Sequence, residues 1–175
     1  VHVQVQGRRT AVSEELRLRE LLEQLVAAEV RFVLVGGLAV NAWGYLRATQ
    51  DLDIVPDPEP ANLERLASLL ERLGGRVEVE GGRLASSAIH TFLKAGDRTF
   101  VSTDAGHVDV LQGLPQVPSF GQLDEDGTSV ALDGITVKVC SLDALKAMKR
   151  AFERARDRDD LEALDALEDE EAPTS

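Results

Sequence analysis

Two aspartates inside one apolar run are the feature that most limits how this chain can fold. Asp51 and Asp53 stand two residues apart, with Leu52 between them and Ile54 after them. Side chains at positions i and i+2 of a strand point to the same face of a sheet. The pattern therefore predicts a strand that buries Leu52 and Ile54 on one face and presents both carboxylates on the other.

A short β-branched run precedes this acidic strand. Arg31–Val35 predicts a buried strand that ends at Gly36-Gly37, and Leu38–Tyr45 then predicts a short helix. Glycines at such a turn let backbone N–H groups approach an anion closely, and the start of a helix favours negative charge. The order of strand, glycine turn, helix and acidic strand therefore favours a phosphate bound beside a pair of carboxylates.

Paired carboxylates raise each other's pKa unless a cation lies between them. Mg²⁺ usually takes one or two carboxylates together with substrate phosphates, so Asp51 and Asp53 are candidate ligands for Mg²⁺ or Mn²⁺. Phosphoryl or nucleotidyl transfer is the chemistry that such a site supports. Each of these two motifs, taken alone, has a purely structural interpretation. Gly-Gly also occurs in ordinary turns, and Asp-x-Asp also occurs at solvated strand ends.

A third acid is expected from the alternating run His107–Leu111. Asp109 lies in its middle, where a buried carboxylate without a partner would be costly. We therefore take Asp109 as the third carboxylate, and a half-exposed strand acid is the alternative. Asp104 lies in a Thr-Asp-Ala-Gly segment and fits a turn better.

Gly36-Gly37, 13 further residues and then Asp51-x-Asp53 resemble the motif of the nucleotidyltransferase superfamily typified by DNA polymerase β. The resemblance implies an α/β (α+β) fold with a short mixed sheet flanked by helices and with helices at its C-terminal end. It implies that Asp51, Asp53 and Asp109 bind the metals and act in catalysis. It also implies that the glycines hold a nucleoside triphosphate such as ATP, whose nucleoside monophosphate passes to a hydroxyl acceptor.

Two further stretches resemble the abortive-infection-type nucleotidyltransferases, a group that includes toxins of bacterial toxin–antitoxin pairs. One is Arg47-x-Thr49 before the acidic strand. The other is Leu142–Arg150, followed by Arg154, Arg156-Asp157 and Asp160-Leu161. The resemblance implies that Arg47, Thr49 and Lys149 bind the nucleotide. For Arg47 an ion pair with an acid is the alternative, and for Lys149 a solvated basic face.

The acceptor stays open between an RNA end, a protein and a small molecule, and the toxin resemblance adds a possible antitoxin-like protein partner. A different hypothesis is a partner-binding or regulatory module that keeps the fold without turnover. A third, a calcium loop built from Asp51, Asp53 and Asp57, is disfavoured by the prolines at 56 and 58.

The composition narrows the classes of partner and compartment. Lys and Arg number 19 against 31 Asp and Glu, a net charge of −12, which disfavours binding to duplex DNA. The single cysteine, Cys140, excludes a disulfide framework. No apolar run approaches the roughly 20 residues of a membrane helix, so we expect no membrane contact and a cytoplasmic protein.

We expect one domain over residues 13–167, helical from about residue 141. Residues 1–12 are expected to form a strand or a flexible segment, and 168–175 a disordered acidic tail. The histidines and the aromatics near the glycine turn are taken as structural: His90, His107, Trp43 and Tyr45. Prolines mark residues 113–127 as a loop.

Overall fold

The computed structural model describes residues 17–171. The predicted N-terminal segment 1–12 and the last residues of the predicted tail, 172–175, lie outside this range. None of the described helices is long and apolar enough to cross a membrane.

A single mixed sheet of eight strands runs through the described chain. The strands are β1 (Phe32–Val35), β2 (Asp51–Pro56), β3 (Arg76–Val79), β4 (Gly82–Leu84), β5 (Thr99–Thr103), β6 (Gly106–Val110), β7 (Thr128–Leu132) and β8 (Ile135–Val139). Their order across the sheet is β4-β3-β5-β6-β2-β1-β8-β7. The central strand β2 runs antiparallel to β1 and parallel to β6.

Seven helices accompany the sheet within residues 17–171. They are α1 (residues 17–27), α2 (Gly36–Ala42), α3 (Pro60–Arg72), α4 (Ala88–Ala95), α5 (Phe120–Asp126), α6 (Leu142–Phe152) and α7 (Ala155–Glu171). The last two form the helical C-terminal part that the sequence predicts.

The core forms where the central strands meet the apolar faces of the helices. On β2, Leu52 and Ile54 are fully buried, whereas Asp51 and Asp53 are only partly buried. This alternation confirms the predicted two-faced strand. It also places both carboxylates on a central strand with neighbours on either side, so that the flanking strands bring further groups beside them.

Two helices in the middle of the chain do not follow the prediction. Helix α4 lies between β4 and β5, where we predicted no helix. Helix α5 lies inside the predicted loop 113–127, where Ser119 and Gln122 form a reciprocal capping box. The Ser-x-x-Gln spacing was readable in the sequence, but Pro115 and Pro118 just before it favoured a loop.

The C-terminal helical part extends beyond the predicted boundary at residue 167. Helix α6 ends at Phe152 because Glu153 adopts a left-handed backbone, with φ 51°. Helix α7 continues to Glu171, so residues 168–171 are helical and not disordered as predicted. Lys146 on α6 forms an ion pair with Glu168 in this added turn.

Candidate active site

A cavity of about 430 Å³ opens where β1 ends and β2 begins. All eight residues that the sequence predicts for the site border it. They comprise the glycine pair, three acids, two cations and a threonine: Gly36, Gly37, Asp51, Asp53, Asp109, Arg47, Lys149 and Thr49. The fold thus gathers at one place groups that lie more than 110 positions apart in the sequence.

The acids come from two adjacent parallel strands. Asp53 on β2 is paired directly with Asp109 on β6, and Asp51 is paired with His107. Asp109 is 5% exposed, so its charge is almost fully removed from water. The three carboxylates therefore crowd one side of the cavity.

The pKa of the Asp53 carboxyl is strongly raised in this environment. Burial raises its pKa from 3.8 to about 7, and the negative charges of Asp109 and Asp51 add to the rise. A hydrogen bond from the backbone N–H of Gly37 and the charge of Lys149 lower the pKa only in part. A cation bound beside Asp53 would relieve this repulsion.

The glycine turn packs against the acidic strand. Gly36 has φ +67°, and a Cβ built on it would lie 1.9 Å from Oδ2 of Asp53. A Cβ on Gly37 would lie 2.5 Å from Oγ1 of Thr49. Both positions thus require glycine for close packing. The N–H of Gly37, which we predict to bind a phosphate, donates to Asp53 in this structure.

The two predicted nucleotide-binding cations share one buried acid that the prediction did not place in the site. Asp160 on α7 is 0% exposed. Its Oδ2 lies 2.7 Å from Nζ of Lys149 and accepts a 2.9 Å hydrogen bond from Nη2 of Arg47. Nε of Arg47 lies 2.6 Å from the other oxygen, in an ion pair without hydrogen-bond geometry.

Lys149 is therefore not part of a solvated face. It is 5% exposed, and its Nζ also donates a 2.9 Å hydrogen bond to Oδ1 of Asp157. Burial opposes ionisation of Asp157, but hydrogen bonds from Arg154 and Lys149 outweigh it and hold the pKa of that carboxyl below its usual range. Arg47 forms an ion pair with Asp160, as in the alternative interpretation of this residue. Both cations still border the cavity.

The sequence prediction also missed Arg98, which borders the cavity. Arg98, just before β5, donates from Nε to Oδ1 of Asp109 at 3.0 Å and from Nη2 to Oδ2. An arginine in a loop carries no sequence signal for such a role. Only the register of the strands, which pairs Phe100 with Asp109, brings Arg98 to the third acid.

The carboxylates at the cavity determine whether a divalent metal fits the site. Within residues 17–171, no group of three or more His, Cys, Asp or Glu is arranged to hold a metal ion by itself. Mg²⁺ usually needs only one or two carboxylates when substrate phosphates supply further oxygens. Asp51 and Asp53, with the raised pKa of Asp53, fit a metal that binds together with a nucleotide.

The residues that we took as structural make contacts within the fold. Trp43 donates its indole N–H to the carbonyl of Cys140 at 3.0 Å, and His107 stacks on Phe100 with ring centroids 5.6 Å apart. His90 lies between two glutamates on α3, 3.2 and 3.4 Å from their carboxylates. Asp104 occupies the turn between β5 and β6 and does not border the cavity.

Comparison of the sequence with models of protein families identifies the family of this chain. The model of a family described as a nucleotidyl transferase of unknown function, DUF2204, matches residues 14–174. The chain belongs to this family. No protein among the curated sequences matches it.

Solved structures of other nucleotidyltransferases share the fold. The lincosamide antibiotic adenylyltransferase LnuA, in a lincomycin-bound crystal structure, is 18% identical, with 87% of this chain and 97% of LnuA covered and a TM-score of 0.61. The antibiotic-resistance factor ANT(2'')-Ia is 14% identical, with 88% and 83% covered and a TM-score of 0.59. At these identities the likeness shows the nucleotidyltransferase fold.

Proposed function

We propose that this nucleotidyltransferase moves a nucleoside monophosphate from a nucleoside triphosphate to a hydroxyl group of a small molecule, with Mg²⁺ as the metal. The observation that carries the proposal is the convergence of Asp51, Asp53 and Asp109 on one cavity beside the glycine turn. Membership of a nucleotidyl transferase family supports the reaction class.

In the proposed reaction the acceptor oxygen attacks the α-phosphorus of the triphosphate. A new oxygen–phosphorus bond forms, the bond to the bridging oxygen breaks, and pyrophosphate leaves with the electron pair. Asp51 and Asp53 would hold the divalent cation, Mg²⁺ or Mn²⁺, which neutralises phosphate charge and activates the hydroxyl when bound. Asp109 would complete the set and accept the hydroxyl proton.

The basic side of the cavity would receive the nucleotide. Arg47 and Lys149 are held in place by Asp160, so their positive charges stay fixed beside the cavity. Fixed charges stabilise a developing negative charge without having to reorganise during the reaction. Thr49 packs against Gly37 and would set the shape of the phosphate side of the site.

A small acceptor is favoured by size and charge. The cavity of about 430 Å³ is the size of a small-molecule site. The net charge of −12 disfavours a long nucleic acid and favours a cationic compound. LnuA, which shares the fold, is an adenylyltransferase of lincosamide antibiotics. An RNA end or a protein acceptor, as in the abortive-infection-type group with its antitoxin partners, is the alternative.

Calorimetric titration with each nucleoside triphosphate in Mg²⁺ tests the donor site. The wild type should bind at least one triphosphate in a metal-dependent manner, and Asp51→Asn/Asp53→Asn should lose that binding. Asp133→Asn, in the turn between β7 and β8, is the matched control and should bind like the wild type. A folded wild type that binds no triphosphate would favour the partner-binding module instead.

The acceptor is tested by transfer of label from the α-phosphate of the triphosphate that binds. We expect labelled product with a panel of hydroxyl-bearing cationic compounds such as aminoglycosides. Transfer tRNA and the protein itself form the other arms of the assay. Label found on tRNA and on no small molecule would overturn the small-molecule acceptor and favour the toxin-like role.

A further inference from the structure

The third carboxylate already has a cationic partner. Asp109 is bound through both of its oxygens by the guanidinium of Arg98, at 3.0 Å between Nε and Oδ1 and through a second bond from Nη2 to Oδ2. Two parallel bonds from arginine to a carboxylate are among the strongest polar contacts in proteins. The pair forms inside the cavity that the proposed reaction would use.

The position of Asp109 makes a cationic partner necessary. Asp109 is 5% exposed and stands directly opposite Asp53 on the neighbouring strand. A buried carboxylate beside a second one is costly unless a positive charge compensates it. Arg98 supplies that charge.

The same contact conflicts with binding of a metal ion at Asp109. A divalent cation there would need at least one of the two oxygens that now accept hydrogen bonds from Arg98. A guanidinium and a metal ion at one carboxylate would also repel each other.

Arg98 has room to leave this position. Its side chain is 47% exposed, in contrast to 6% for that of Asp109, and it borders the cavity. A guanidinium released there would meet the phosphates of the nucleotide, which suit its paired N–H groups as well as a carboxylate does.

We propose that Arg98 is a resident counter-cation of the metal site. It occupies Asp109 while the metal is away, yields that carboxylate to the divalent cation, and then binds the phosphates of the nucleotide. The inference rests on the proposed metal-dependent reaction and adds a nucleotide-binding residue to it.

The first measurement is Mn²⁺ binding without nucleotide, followed by the electron paramagnetic resonance signal of the free ion. Arg98→Met should bind Mn²⁺ about tenfold more tightly than the wild type, since a competing charged hydrogen-bond donor is gone. Arg98→Lys keeps the charge with fewer bonds and should lie between the two. Arg83→Met removes an arginine paired with Glu78 away from the cavity and should match the wild type.

The second measurement is the affinity for a non-hydrolysable analogue of the triphosphate that binds the wild type, in saturating Mg²⁺. Arg98→Met should weaken it by about tenfold, because one phosphate contact is lost. Arg98→Met should therefore change the affinities for the metal and for the nucleotide analogue in opposite directions, which general damage to the site would not do. Circular dichroism checks that each variant is folded.

Two results would overturn the inference. One is an Mn²⁺ affinity in Arg98→Met that is unchanged or weaker, or a gain equalled by Arg83→Met. The other is an unchanged affinity for the nucleotide analogue. Failure of the proposed function is distinguishable, because the wild type itself would then bind no metal–nucleotide complex.

Discussion

Asp53 and Asp109 face each other as directly paired residues on the parallel strands β2 and β6. Burial and the charge of Asp109 together raise the pKa of Asp53 to about 7. The protein thus keeps a partly protonated carboxyl at the centre of its cavity near neutral pH, and its stability should depend on that proton.

The free energy of unfolding should reveal this dependence. Between pH 4 and pH 7 the folded chain holds a proton on Asp53 that the unfolded chain has lost, so Asp53 makes the protein less stable as pH rises through that window. Asp53→Asn should remove the effect and gain roughly 2–4 kcal/mol over the wild type at pH 8, but little at pH 4. Urea unfolding at both pH values measures the difference. An equal gain in the free energy of unfolding at pH 8 and pH 4 would contradict the prediction.

The glycine at the start of α2 should not tolerate a side chain. Gly36→Ala combines φ +67° with a Cβ 1.9 Å from Oδ2 of Asp53, so we expect a loss of about 3 kcal/mol or more in the free energy of unfolding. Gly134→Ala is the matched control, with φ +84° and no atom within 4 Å of its Cβ. It should lose only about 1–2 kcal/mol, the cost of a left-handed backbone. Equal losses would show that the contact with Asp53 adds nothing.

The buried acid of α7 should stabilise the protein far more than an exposed acid does. Asp160→Asn leaves Arg47 and Lys149 with a neutral partner, and we expect a loss of about 3–5 kcal/mol in chemical unfolding. Glu23→Gln removes one partner of an exposed pair with Arg19 and should cost less than about 1 kcal/mol. A loss for Asp160→Asn as small as that for Glu23→Gln would show that the charge of Asp160 is not what holds these cations.

The single cysteine should report opening of the core. Cys140 is 0% exposed, and burial raises the pKa of its thiol to about 12. Because the thiolate is the reactive form, Ellman's reagent at pH 8 should leave the folded protein almost unlabelled. Labelling should become complete in denaturant, at the midpoint reported by fluorescence of Trp43. Rapid labelling of the folded protein would contradict the burial of this thiol.

The acidic pair could be predicted from the sequence because its signal is local. Leu52 and Ile54 alternate with the two acids, and this alternation alone defines a strand with one polar face. The same reasoning on β6 predicts Asp109, which borders the same cavity. Helix α5 was missed because two prolines outweighed a capping signal of two residues.

The partners of these groups could not be predicted, because each depends on how distant elements pack. Arg98 reaches Asp109 only through the register of β5 on β6. Lys149 is a predicted nucleotide-binding cation, and the packing of α7 on α6 also gives it two carboxylate partners that the sequence does not indicate. Periodicity within an element shows which face is buried, and it does not show what lies opposite.

The contact of Asp160 with Arg47 has a consequence for the order in which the protein is completed on the ribosome. It joins residues 113 positions apart, and α7 is synthesised after every other element of the described chain. A nascent chain that already holds the glycine turn and all three carboxylates still has Arg47 and Lys149 without their buried partner. The basic side of the cavity is therefore completed only when α7 emerges, after every other described element has been synthesised.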